Sequence, residues 1–163
     1  MIKTNLQTLK EMTVLPEWID HNGHMNVAYY VLVFDQSLDV LLEQIELTPE
    51  YRKASGNTVY VLETHVSYLQ EVKEGDALLI SFRVVDCDEK RIHLFLEMHH
   101  KELGFLAATS EQMILHIDTS GPKAHPMPKH IQDNLKALQK SHSLTPSPNQ
   151  LGAAIGIRRK IAS

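Results

Sequence analysis

Between Trp18 and Ile45 the chain reads W-I-D-H-N-G-H-M-N-V-A-Y-Y-V-L-V-F-D-Q-S-L-D-V-L-L-E-Q-I, a short polar run followed by one long apolar pattern. Tyr30, Val33, Phe34, Ser37, Leu38, Leu41, Leu42 and Ile45 recur at three- and four-residue steps, the stripe of a helix buried along one side. At this length a helix is roughly 30 Å long and crosses a small domain from end to end. It must lie against something equally wide, and that requirement governs how the remaining residues are read.

The polar run supplies the start of the helix. Asn26 is a good N-cap, because its short side-chain oxygen can accept from a free backbone N–H, and the helix is expected to begin near Val27. Asp20, Asn22, His24 and Asn26 fall at alternate positions, so an extended approach would project all four side chains to one side. Gly23 among them allows a tight bend or a close backbone approach to a ligand. The free N–H groups at Val27 and Ala28, with the positive end of the helix dipole, would stabilise an oxyanion formed beside this cluster.

The wide partner is a sheet. Residues 7–15 read as a first strand, with Leu9 and either Val14 or Met12 facing inward, and Pro16 ends it. Thr48-Pro49 closes the long helix, and residues 49–57 form a short helix or loop ending at Gly56-Asn57. Strands are expected over about 58–72, 76–88, 91–101 and 105–118, separated by turn residues at Gly75-Asp76, Asp88-Glu89-Lys90 and Gly104. One helix followed by consecutive hairpin-linked strands implies an α+β fold, an antiparallel sheet wrapped on that helix. This domain takes in residues 1–128. A proline-broken linker leads to residues 129–163, a helix at 129–141 with Ile131, Leu135 and Leu138 on one side and then a tail, not a separate domain. The tail has no clear period; it is either disordered or docked on a partner subunit.

Bulk properties exclude several functions. A net charge of −4 on 163 residues argues against nucleic acid as a partner, since a phosphate backbone demands a basic face. The single Cys87 rules out an internal disulfide and suits a reducing compartment. The opening M-I-K-T-N-L-Q-T-L-K lacks the apolar core of a signal peptide, and no segment has the ~18 apolar residues of a membrane span, so no membrane association and a cytoplasmic location are expected. His99 and His100 are adjacent and point to opposite faces of a strand, and there is no H-E-x-x-H or C-x-x-C spacing, so no metal is expected.

The run D-H-N-G-H-M-N-V-A-Y-Y, followed by a long apolar helix and then strands, resembles the hotdog-fold acyl-thioesterases. It is similar to the D-x-N-x-H-x-N-N run of the plant acyl-carrier-protein thioesterases and, more loosely, to the D-x-x-G segment of the 4-hydroxybenzoyl-CoA thioesterases. The longer stretch V-L-P-E-W-I-D-H-N-G-H-M-N-V-A-Y-Y is closer to the small thioesterases associated with carnitine dehydrogenase, of betainyl-CoA type. The similarity covers about residues 8–128. It implies a hotdog fold, an acyl-CoA substrate, no cofactor, and a homodimer or homotetramer with sites at the subunit interface.

The resemblance also implies roles. Asp20 takes the place of the catalytic aspartate, as nucleophile or general base, while Asn22 and His24 orient water or polarise the acyl group. A thioester carbonyl is electrophilic and its thiolate leaves easily, so one carboxylate and an oxyanion hole suffice. Val27 enters through its backbone N–H alone; its side chain can simply be core. Glu71 aligns loosely with a later glutamate of the plant site, although its run also reads as a solvated strand exit. Glu63 and His65 alternate on the preceding strand and can face the helix start. Trp18, Tyr30, Phe34 and Tyr68, with Tyr29 and Tyr60, concentrate near the site, either as a cage for a quaternary ammonium or as ordinary core. Lys10, Arg52, Lys53, Arg83 and Arg91 are candidates for the phosphates of CoA. Two other readings stand beside hydrolysis: an enoyl-CoA hydratase or dehydratase of the same fold, whose D-x-N-x-x-H run places its histidine one residue later, and a non-catalytic acyl-CoA-binding protein.

Overall fold

Helix α1 (Val27–Gln44) starts where the cap chemistry places it, with Asn26 Oδ1 accepting from the Ala28 N–H at 2.9 Å. Its buried residues are Tyr30, Val33, Phe34, Ser37, Leu38 and Leu41, one continuous stripe. Ser37 is tolerated there because its hydroxyl donates to the Val33 carbonyl one turn back, at 2.7 Å. Thr48 caps helix α2 (Pro49–Ser55), and Gly56 ends it in the left-handed conformation at φ 71°.

The computed structural model describes residues 6–157. A six-stranded antiparallel sheet curls round α1, with the order β1-β3-β4-β5-β2 and a short β6 beside β5. The strands are β1 (Thr8–Thr13), β2 (Asn57–Tyr68), β3 (Ala77–Cys87), β4 (Arg91–His100), β5 (Leu106–Asp118) and β6 (Lys123–Ala124). This is the α+β hotdog fold that the helix and strand pattern led us to expect. Leu78, Ile80, Phe82 and Val84 of β3, with Leu94, Leu96 and Met98 of β4, pack in one buried cluster with the α1 stripe. Helix α3 (Lys129–His142) adds Ile131 and Leu135 to the same cluster and lies against β3.

One connection differs from the expectation of consecutive hairpins. β2 does not pair with β3; it crosses to the far side of the sheet and pairs with β5 along its whole length, Asn57 opposite Asp118 and Tyr68 opposite Ala108. The predicted strand over 58–72 is correspondingly shorter. The chain leaves the ladder after Tyr68, where the N–H groups of Leu69 and Gln70 both donate to the Ala107 carbonyl, at 2.9 and 3.1 Å. Residues 69–72 then turn under the start of α1.

The tail is an ordered strap over its described part. Arg83 on β3 is buried, and its guanidinium donates to the carbonyls of His142, Thr145 and Pro146 at 3.0, 2.9 and 2.9 Å. Farther on, the Gly152 N–H donates to Glu111 on β5 at 2.7 Å. Arg83 and Glu111 are in register across β4 through Phe95, on the sheet face turned away from α1. The strap thus crosses the outer face from β3 to β5. Residues 158–163, which belong to the tail as read from sequence, lie outside the described residues. Among the described residues no helix is long and apolar enough to cross a membrane.

Candidate active site

The polar run is not extended. The Asp20 N–H donates to the His24 carbonyl at 2.9 Å and the Gly23 N–H to the Asp20 carbonyl at 3.0 Å, with Gly23 at φ 79°. A bridge between Ile19 and Met25 closes the loop, and the Met25 N–H donates to the Val72 carbonyl at 2.9 Å. Gly23 is needed here because a side chain at that φ would be strained. The alternation that the sequence suggested is therefore replaced by a tight turn, which still delivers Asp20, Asn22 and His24 to one cavity.

That cavity, about 700 Å³, is lined by the turn, by Val27 and Tyr30 of α1, and by Tyr68 to Glu71 where β2 ends. Asp20 Oδ1 accepts from the Asn22 N–H at 2.8 Å, which fixes the carboxylate while Oδ2 has no protein donor among the described residues. Of the two backbone donors expected at the helix start, that of Ala28 is occupied by Asn26, and that of Val27 has no acceptor among the described residues. One of these two N–H groups, not both, is unengaged among the described residues. The Val27 side chain is 57% exposed and is not core.

The opposite wall closes by polar contacts. His24 Nε2 lies 3.0 Å from Glu71 Oε2, and the Tyr68 hydroxyl donates to the Val27 carbonyl at 3.4 Å. Tyr30 and Tyr68 meet edge to face, ring centres 5.3 Å apart. Burial raises the Tyr30 phenol above its ordinary value; the Val72 backbone opposes this and the Glu71 charge adds to it. Burial raises Tyr68 as well, so both phenols are neutral donors near pH 7.

The other candidates lie elsewhere. Phe34 is 1% exposed and belongs to the core, because it sits one turn deeper on the stripe that carries Tyr30. Trp18 is buried and stacked on Tyr29 at 5.5 Å, behind the site rather than in it. Glu63 and His65 do not face the helix start. They line a second cavity with His93, Glu111 and the strap residues Gly152–Ala154, because alternation along β2 turns His65 away from the face that Val66 packs into the core. Asn26 acts as the cap and does not line the cavity. Arg83 is committed to the strap, and Arg91 pairs with Asp88 through two nitrogens. The lining therefore contains two carboxylates, Asp20 and Glu71, and no lysine or arginine. Met25, Leu69 and Gln70 also line it, residues with no motif or spacing of their own to mark them.

Comparison with known proteins matches residues 14–135 to the model of the Thioesterase-like superfamily. The chain is 37% identical over 150 residues to the betainyl-CoA thioesterase of Pseudomonas aeruginosa, covering 92% of this chain and 94% of that protein. It is 36% identical to an L-carnitine dehydrogenase/betainyl-CoA thioesterase of Rhizobium meliloti, covering 93% of this chain but only 30% of that longer protein. Among solved structures, the Staphylococcus aureus protein SAV2348, determined in complex with CoA, superposes with a TM-score of 0.88 at 31% identity, over 94% of this chain and 97% of that one.

Proposed function

From the premise that the chain belongs to the Thioesterase-like superfamily and is a thioester hydrolase, we propose that it cleaves a small acyl-CoA, betainyl-CoA first among candidates, to the free acid and CoA. The observation that supports the reading is that one cavity is lined by both Asp20 and Val27, whose N–H has no acceptor among the described residues. In this reading the Val27 N–H, at the positive end of α1, binds the oxygen that becomes negative as the thioester carbonyl turns tetrahedral. Asp20 attacks that carbon to give a mixed anhydride, which water then hydrolyses to the free acid and the restored carboxylate, or removes a proton from a water that attacks directly; both routes expel the CoA thiolate. Asn22 and His24 position the water or the acyl carbonyl, and the Glu71 carboxylate holds the His24 ring in place through the 3.0 Å contact.

The acyl end is assigned to Tyr30 and Tyr68. A trimethylammonium group against these ring faces, beside the Asp20 and Glu71 carboxylates, fits a lining that has no lysine or arginine. The same lining leaves the CoA phosphates to groups outside the cavity. A carnitine-linked substrate is favoured because the longer relatives carry both activities in their names. No cofactor enters this scheme. The enzyme works as a homodimer, or a pair of homodimers, in the cytoplasm, where the CoA pool resides and the free Cys87 stays reduced.

The test is Asp20→Asn assayed for thiol release on a panel of acyl-CoAs that includes betainyl-CoA. The amide keeps the oxygen that accepts from the Asn22 N–H but is neither base nor strong nucleophile, so kcat should fall at least about 100-fold with the fold intact. Near-native turnover would remove Asp20 from its role.

A further inference from the structure

In the hydrolase reading one backbone N–H, that of Val27, serves the thioester oxygen, because Asn26 occupies the Ala28 N–H. A carbonyl oxygen has two lone pairs and takes a second donor. Tyr30 stands about one helical turn beyond Val27, and both line the cavity. A long helical side chain leans back toward the N-terminus and covers the turn before its own Cα, so the Tyr30 ring lies over the turn that opens at Val27. The far end of the phenol is at the same level. Its oxygen is met by the Val72 backbone, whose carbonyl accepts from the Met25 N–H at 2.9 Å, two residues before the helix. Tyr30 is 4% exposed and sits edge to face with Tyr68, so the ring is held in place. The two phenols differ in what their protons do. The Tyr68 hydroxyl donates to the Val27 carbonyl. On Tyr30 the Val72 backbone lowers the phenol's value, as an N–H given to the phenol oxygen does, and the O–H proton has no acceptor among the described residues.

We propose that the Tyr30 hydroxyl is the second donor to the thioester oxygen, beside the Val27 N–H. The proposal rests on the hydrolase reading given above and adds a catalytic residue to it. The phenol lends a hydrogen bond and keeps its proton. The charge that builds on the oxygen as the carbonyl turns tetrahedral is stabilised there, and it returns to the carbonyl as the thiolate leaves. Burial holds the phenol above its ordinary value and so keeps it a donor in the neutral and mildly alkaline range. A betainyl thioester suits this placement, because a single methylene separates its ammonium from its carbonyl. The ring face and the hydroxyl of one tyrosine thus serve neighbouring parts of one small acyl group.

Tyr30→Phe tests this, since it removes the hydroxyl and keeps the ring and its contact with Tyr68. For thiol release from betainyl-CoA, kcat should fall about 100-fold while KM stays within about 3-fold. The preference over an uncharged isostere should persist, because the ring remains. Difluorotyrosine at position 30 gives a measurement independent of packing. Its phenol ionises at lower pH and an ionised phenol cannot donate, so kcat should decline with rising pH over an interval where the native enzyme stays level. A Tyr30→Phe enzyme with near-native kcat, or with its whole loss in KM, would overturn the donor, as would coincident pH profiles for the fluorinated and native enzymes. Asp20→Asn separates this outcome from failure of the underlying reading. A slow Asp20→Asn enzyme beside a fast Tyr30→Phe enzyme removes Tyr30 alone, whereas a fast Asp20→Asn enzyme removes the site itself and the Tyr30 assignment with it.

Discussion

Asn26 begins α1 and occupies the Ala28 N–H, while that of Val27 has no acceptor among the described residues. Asn26→Ala should cost about 1 kcal/mol of stability through loss of the cap. It should also lower kcat, since the freed Ala28 N–H lets the first turn shift; an unchanged melting temperature together with an unchanged rate would dismiss both roles. Tyr30 and Tyr68 carry the substrate prediction. Betainyl-CoA and 3,3-dimethylbutanoyl-CoA share size and branching, but only the first is cationic. About 2 kcal/mol for a desolvated cation on aromatic faces makes betainyl-CoA better by roughly 30-fold in kcat/KM, and Tyr68→Leu should erase most of that preference. Equal kcat/KM on the two esters would return both rings to a packing role. At this scale the sequence was legible where the physics is local. Capping acts over two residues, so the helix start could be read directly. Phe34 and Tyr30 lie on one stripe, and spacing alone does not say which of them reaches a cavity. For Glu63 and His65 the period-two rule sets His65 opposite Val66, which packs on the core, and the strand that carries them ends at Tyr68, before Glu71.

The strap that follows α3 is held on β3 by one side chain. The Arg83 guanidinium serves three carbonyls near and beyond the end of α3, and the buried His142 ring accepts the Val84 N–H at 3.0 Å. Arg83→Met removes these charge-assisted bonds and leaves carbonyls unpaired, a loss of about 3 kcal/mol. Proteolysis should then begin between residues 143 and 152, while the native chain resists cleavage there; equal protease resistance in the two proteins would rule out Arg83 as the anchor. Nothing in the sequence announces this. An arginine in an apolar strand reads as a solvated charge or a phosphate ligand, and its partners are backbone atoms about 60 residues away that carry no residue signature. The strand lengths and turns were readable because alternation and turn chemistry are written within each element. The crossover of β2 was not, because strand order depends on which edges find each other across the molecule.

For the whole molecule, three histidines, two of them buried and one half-buried, set an acid limit. His99, His116 and His142 all sit below the ordinary histidine value, burial being the largest cause in each and the Arg83 charge a further one for His142. A depressed histidine keeps the folded state neutral while the unfolded chain takes up protons. Their contribution is whole above about pH 6.5 and is lost as pH falls below it. The melting temperature should therefore hold level from pH 8 to 7 and decline toward pH 5; a rise over that interval would contradict the sign. The crossover that puts β2 on the far side of β5 also sets an order of events while the polypeptide is being made. α1 and β2 leave the ribosome together, yet Asn57 waits for Asp118 and Tyr68 for Ala108 before any ladder forms. The nascent chain holds its capped turn and the Asp20 loop before it owns the wall that makes them a pocket. Until β5 emerges, a 12-residue strand carrying tyrosine, valine and leucine is uncovered on both edges, the interval in which such a chain is open to chaperones or to pairing with its neighbour on the same message.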